Sequence, residues 1–456
     1  MSIVDRTRLP AVGPDPPFQL PGFERSILQN GMGVRVAEHR RAPVLTILLL
    51  VPAGSASDPP EAPGLAALTA DLLDEGSANR SAIELHEALT RIGGHLTTDV
   101  WSDATVVGLT TLSRHARQAL ELLFEIVTGP RFDPEDVTRV RELRLNRIAQ
   151  MRQSPSAVAD RVFLESLYGN HPYGHLAIGT DTALSTLGPD DVADFHHRQY
   201  VPSSGTMLAV GDIPSARMRD EIERVWGDWA VTGPEEASGG AASEPPAVGQ
   251  RLVFVARDGA VQSEIRLGHV SVPRSSPDYY ALRVLNAVLG GQFVSRVNMN
   301  LREDKGYTYG ARTAFDWRLG QGPFSLQVSV QTAATADAIR EAVREISEIR
   351  NSRPPTGAEL RLARAALTRG FPRSFETASQ VARGGVQLAL HRLPDDTYEE
   401  FVPRIMAVSP QEVLQAATRH LHPENLVAVV VGSRADVFNG LSGLGFGEAV
   451  ERPNTS

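Results

Sequence analysis

The chain contains no cysteine, and this one absence removes disulfides, thiolate zinc sites and cysteine nucleophiles together. It leaves the compartment open, because a cysteine-free chain tolerates oxidising and reducing conditions alike. Long apolar runs are missing too. The longest, around Leu48 to Val51, is strand-sized, whereas a membrane-spanning helix needs roughly 20 apolar residues. Neither charge sign forms a long run. The formal net charge of -9 argues against nucleic acid, which wants a basic face, and against an anionic membrane surface for the same reason. The first residues, MSIVDRTRLPAVGPDPPFQLPGF, are broken by prolines and hold no apolar stretch of signal-peptide length, so they read as an irregular lead-in. As written, the expectation is a soluble cytoplasmic chain; a misassigned start codon would conceal an export signal and put it in the periplasm.

What is present is enough apolar material, 42% of 456 residues, for more than one core. It is arranged in a repeat. Pro189 and Pro202 are 13 residues apart, as are Pro410 and Pro423, and Gly211 and Gly432 each follow 9 residues later. The offset between the copies is 221 residues, and Pro134 and Pro355 repeat it. Both of these prolines read as sitting in the first turn of a helix. The segment Val231 to Gln250 is rich in Gly, Ala, Ser, Pro and Glu, a linker composition. The predicted organisation is a first domain over 22–230, a linker over 231–250 and a second domain over 251–440.

Within each copy strands cluster near the ends and helices lie between them, which predicts an α+β fold of two homologous α/β-sandwich domains. In the first copy strands are expected at Val44–Val51, Asp103–Thr111 and Thr206–Val210. Helices are expected over Gly64–Asp74, Ala82–Ile92 and Ala116–Val127, and after Pro134 and Pro189. In the second copy strands are expected at Arg251–Ala256, Glu264–His269, Phe324–Val330 and Leu426–Val431.

Three segments carry a resemblance. They are LQNGMGVRVAEHRRAPVLTILLLVPAGSASDPPEAPGLAALTADLLDEGS, GNHPYGHLAIGT from Gly169, and LGGQFVSRVNMNLREDKGYTYGARTAF from Leu289 to Phe315. With the duplication and the linker, they make the chain similar to the insulinase/pitrilysin family of zinc peptidases, and in particular to its short processing-peptidase members. Active members hold zinc through an inverted H-x-x-E-H motif and a distant Glu, and the motif Glu serves as general base toward the metal-bound water. The resemblance places the two His positions at Ala67 and Asp71, the base at Ala70 and the third ligand at Arg147. Alanine can neither ligate nor move a proton, and a cation at 147 repels zinc. All four roles are therefore expected to be lost, and no cofactor is expected in this chain.

Other histidines do not rebuild the site. His86 and Glu87 begin an H-E-x-x pattern, but Thr90 stands where its second His belongs. His171 and His175 are separated by Pro172 and Gly174, and adjacent His196 and His197 point apart on a helix. The family's second-domain motif, an Arg followed seven residues later by a Tyr, falls on Arg302 and Tyr309, with Tyr307 a neighbouring candidate. A guanidinium and a phenol can bind a peptide carbonyl or the oxyanion formed when water attacks it. Gly290, Gly291, Gly306 and Gly310 flank the pair and suit turns; their spacing is not that of a phosphate loop. The resemblance thus implies a non-catalytic, substrate-binding subunit, with zinc supplied by an H-x-x-E-H-bearing partner in a heterodimer acting on unfolded peptides. Two alternatives stay open: a structural or peptide-binding subunit with no protease role, and a stand-alone peptidase with a different zinc site.

Overall fold

The computed structural model describes residues 18–230 and 244–453. The lead-in up to residue 17 and the linker stretch 231–243 lie outside the described residues. Two six-stranded sheets form the frame. The first comprises β1 (Glu24–Ile27), β2 (Gly33–Glu38), β3 (Val44–Val51), β4 (His95–Val100), β5 (Thr105–Leu112) and β6 (Thr206–Gly211), in the order β1-β2-β6-β3-β5-β4. The second comprises β7 (Arg251–Ala256), β8 (Gln262–Val270), β9 (Ala311–Phe315), β10 (Pro323–Gln331), β11 (Val427–Gly432) and β12 (Val450–Arg452), in the order β12-β7-β11-β8-β10-β9. The same five-strand arrangement occurs twice. β2 runs parallel to β6 as β7 does to β11, and the remaining pairings inward to β4 and β9 are antiparallel in both. This is the α+β architecture of two sandwich units that the sequence predicts.

Side-chain alternation explains why the central strands are apolar throughout. Leu45, Ile47, Leu49 and Val51 of β3 face one core, with Leu68, Leu120, Ile126 and Trp226 from the helices. Leu48 and Leu50 face the opposite way and meet Val381, Ala382 and Val386. Those three belong to the helix Ala378–Leu390, which comes from the far half of the chain. The exchange is reciprocal. The helix Pro155–Tyr168 places Val158, Val162 and Phe163 on Val253, Val255, Val427 and Val429 of the second sheet. Each sheet is therefore covered on its outer face by a helix from the other half, and the halves cannot separate without uncovering both. A run buried on both faces loses the polar alternation of a half-exposed strand.

Most predicted elements fall within a residue or two of the observed ones. The elements that escaped the sequence reading include β4, β9, β12, the helices Ser215–Trp226, Tyr279–Leu289 and Thr335–Glu348, and the two exchanged helices. One start differs in kind. Pro134 does open its helix, Pro134–Met151, from the first turn. Pro355 instead precedes the cap of the helix Gly357–Arg369, where Thr356 and Glu359 form a reciprocal capping box.

Candidate functional site

The positions of the expected zinc motif lie on the helix Leu65–Asp71. Its entry is fixed by Asp58, whose carboxylate accepts from the Gly64 and Ala66 amides at 2.7 Å each. Burial pushes the Asp58 carboxyl up to about 7, against the opposing pull of those two amides and of Arg144. Gly64 has φ +101°, and a Cβ there would lie 2.8 Å from the Gly179 Cα. This close approach gives a physical reason for the Gly at the end of GNHPYGHLAIGT. In the same segment, the Tyr173 hydroxyl donates to Asp103 at 2.5 Å and accepts from the Gly320 amide at 3.0 Å, tying the second half to the first.

Ala67 and Ala70 are buried, with no side-chain donor between them. Asp71 is half-exposed and engaged by the Arg144 guanidinium at 2.5 Å. Arg144 is itself buried, and its other terminal nitrogen donates to the Ala177 and Ile178 carbonyls at 3.1 Å each. Arg144, Arg147, Ala70 and Asp71 line one cleft of about 370 Å³, whose far wall is Leu96, Thr97 and Thr98 of edge strand β4. The structure thus brings Ala70, Asp71 and Arg147 together, and it adds Arg144, which the sequence reading missed. Its signal was present: Val137, Val140, Arg144 and Ile148 form the buried stripe of their helix, and an arginine in such a stripe needs a buried partner.

This donor set does not suit zinc. Two of the four positions are methyl groups, the third is an aspartate already paired with arginine, and the fourth is a second guanidinium. The other histidines are spent individually. His86 is exposed, 3.5 Å from Asp74. His171 accepts from the Tyr173 amide, and His175 lies 3.9 Å from buried Asp58. His196 bonds the Val127 carbonyl at 2.7 Å and stacks on Tyr200, while His197 faces solvent. Burial lowers the His196 imidazole to about 4. Among the described residues no group of three or more His, Cys, Asp or Glu could hold a metal ion.

The Arg–Tyr segment is built differently. Residues Met299–Asp304 form a π-helical turn that carries Arg302, and Gly306 at φ +66° turns the chain toward β9. Asn298 clamps both ends of the loop. Its amide donates to the Gln292 and Ala311 carbonyls, at 3.2 and 2.6 Å, and its oxygen accepts from the Ala311 amide at 2.8 Å. Asn300 reaches Glu341 at 2.9 Å and buried Glu345 at 2.8 Å on the neighbouring helix, Thr335–Glu348. Arg296 braces the base through Glu359, at 2.7 and 2.9 Å. On this frame the Arg302 guanidinium stacks over the Phe293 ring, 4.0 Å from its centroid, with Glu303 3.3 Å away. Tyr309 is 93% exposed, and Tyr307 packs partly against the second core. Phe293, Val294 and Met299 are exposed around the same loop. Gly290 serves close packing, since a Cβ there would lie 2.6 Å from the Thr313 hydroxyl oxygen.

Comparisons with known proteins follow this geometry. Residues 34–181 match Insulinase (Peptidase family M16), and residues 186–367 match the Peptidase M16 inactive domain. An uncharacterized zinc protease of Mycobacterium tuberculosis is 25% identical over 433 residues, covering 93% of this chain and 96% of that protein. The uncharacterized zinc protease YmxG of Bacillus subtilis is 23% identical over 413 residues, 90% and 98% of the two chains. Among solved structures, a peptidase M16 inactive domain from Pseudomonas fluorescens superposes with TM-score 0.83 at 24% identity, over 90% of this chain and 98% of that one. A protease from Helicobacter pylori gives 0.84 at 19%, over 91% and 100%. Two matched regions in tandem, relatives aligned nearly end to end and a shared fold agree with the duplicated sheets described above: the chain belongs to the insulinase (M16) family of peptidases.

Proposed function

We propose that this chain is the non-catalytic subunit of a two-chain zinc endopeptidase, in which Arg302 and Tyr309 bind an unfolded peptide at a zinc carried by a homologous H-x-x-E-H partner. The observation that carries the reading is a contrast within one molecule. The position of the zinc helix is filled by Ala67, Ala70 and an Asp71–Arg144 ion pair. The Arg–Tyr loop is braced by Asn298, Asn300 and Arg296 yet leaves Tyr309 in solvent. A loop retired from use has no need of so many buried hydrogen bonds. Exposed Phe293, Val294 and Met299 beside it supply apolar area that a partner would cover.

The chemistry asked of this chain is limited. Arg302 supplies a permanent cation with several donors, and Tyr309 one phenolic donor, to a carbonyl oxygen that gains charge as water attacks. Zinc and the general base belong to the partner. The test is reconstitution. This chain alone should leave an unstructured peptide intact, and a homologue bearing H-x-x-E-H should cleave faster when this chain is added. Equal cleavage with and without this chain would end the proposal.

A further inference from the structure

The buried arginines of this fold are positioned by acids and carbonyls, which use up their donors. Arg144 is spent on Asp71 and two carbonyls, and Arg296 on Glu359 and two carbonyls. Arg266 is spent on Asp160, Glu264 and Ser156. Arg302 is held another way. Its guanidinium lies over the Phe293 ring, 4.0 Å from the centroid, and its side chain makes no hydrogen bond with any described residue. The Glu303 carboxylate stands 3.3 Å from Nη1, which is buried, but outside hydrogen-bonding alignment. An aromatic face attracts a cation without accepting from the N–H groups in the guanidinium plane, so those donors and the full charge stay available to an incoming oxygen. The ring itself is fixed from behind. The Gly290 and Gly291 amides donate to the Asn286 carbonyl, at 2.9 and 2.7 Å, and a Cβ on Gly291 would lie 2.6 Å from the Asn286 amide nitrogen. The Gln292 carbonyl accepts from the Asn298 side chain and the Ser295 amide, at 3.2 Å each. Phe293 leaves this fixed backbone and is nonetheless 65% exposed, so its own burial contributes little to the fold.

We infer that Phe293 is the positioning residue of Arg302, its ring orienting the guanidinium toward the peptide carbonyl while leaving the donors unspent. An acid in the same place would hold the guanidinium only by consuming donors and offsetting charge. Phe293 acts through Arg302 and does not touch the reacting atoms. The inference rests on the role proposed for Arg302 and adds to it the residue that makes this arginine ready before substrate arrives.

The test is a double-mutant cycle in the reconstituted pair of this chain and an H-x-x-E-H homologue, with this chain saturating and kcat and KM measured separately on an unstructured peptide. F293L keeps apolar bulk and removes the aromatic face. It should lower kcat by about two- to thirtyfold, the span of one cation–π contact from an exposed to a desolvated site, with little change in KM. F293Y and F293W keep the face and should restore the wild-type rate to within about twofold. In the R302A background F293L should have no further effect, because the ring acts through the guanidinium. E303Q should not lower the rate, since the ring and not the acid orients Arg302. Four results overturn the inference and leave the role of Arg302 standing: a wild-type rate in F293L while R302A is impaired, an equal fall from F293L in both backgrounds, F293Y as slow as F293L, or a loss in E303Q matching that in F293L. A wild-type rate in R302A removes both.

Discussion

The Asn298 clamp gives the account its sharpest local prediction. Asn298 is buried and joins the start of the Arg–Tyr loop to its end, since both backbone groups of Ala311 bond its side chain. Asn298→Ala strands the Ala311 N–H and C=O together. Each unsatisfied buried group costs about 1–3 kcal/mol. The adjacent pocket lined by Asn298 and Gly310 admits water, which favours the lower part of the range and gives a local loss of about 2–4 kcal/mol. At tenfold per 1.4 kcal/mol, the Ala311 amide should exchange hydrogen about 30- to 700-fold faster. Exchange across β11 should stay unchanged, because that strand is central and distant from the clamp. Asn298→Asp should fall between, keeping the acceptor for the Ala311 amide and losing the donor to its carbonyl. The assay is exchange read by mass spectrometry over 292–311. Unchanged exchange there in Asn298→Ala would refute the clamp.

Other expectations follow from the same contacts. Burial opposes ionisation of Glu359, but the Arg296 fork and the Thr356 amide and hydroxyl outweigh it and hold the carboxyl at about 2, below its usual 4.5. A lowered carboxyl stabilises the fold fully above that usual value, so on the order of 2 kcal/mol should be lost as pH falls from about 4.5 toward 2, and Glu359→Gln should flatten this dependence in acid unfolding. Installing Ala67→His, Ala70→Glu, Asp71→His and Arg147→Glu together should still give little zinc by elemental analysis, because the Arg144 guanidinium reaches residue 71 at 2.5 Å; adding Arg144→Met should raise the zinc content. Gly385→Ala should lower the thermal midpoint by a few degrees despite better helix propensity, since a Cβ there would lie 2.6 Å from both Leu208 and Phe23 under the exchanged helix. A rise in midpoint would show that those side chains yield freely.

The elements that were legible in sequence are those whose burial writes a pattern. β3 reads as a strand because both of its faces are covered, and β7 and β11 for the same reason. β4 and β9 were not legible. HLTTDV is a half-exposed edge strand with almost no apolar contrast, and ARTAF is short, with an exposed arginine second in the strand. The exchange of Pro155–Tyr168 and Ala378–Leu390 could not be read at all. A helix's apolar stripe states that it packs on something and is silent on which sheet. At the zinc position, spacing identified Arg147, but only the fold revealed that Arg144, three residues earlier, is the one that grips Asp71. The exposure of Tyr309 and the stacking of Arg302 on Phe293 depend on how the π-helical turn projects its side chains, which spacing alone does not encode.

The most direct measurement of the proposed function is kcat/KM for peptide cleavage by a reconstituted pair of this chain and an H-x-x-E-H homologue. Loss of one oxyanion donor costs about 10²–10³ in rate where it acts at the transition state. Arg302→Ala in this chain should therefore lower kcat/KM by about a hundred- to a thousandfold, and Tyr309→Phe by a smaller factor, with the fall mainly in kcat and pair formation unchanged. Unaltered kcat/KM in both variants, with the pair intact, would contradict the account.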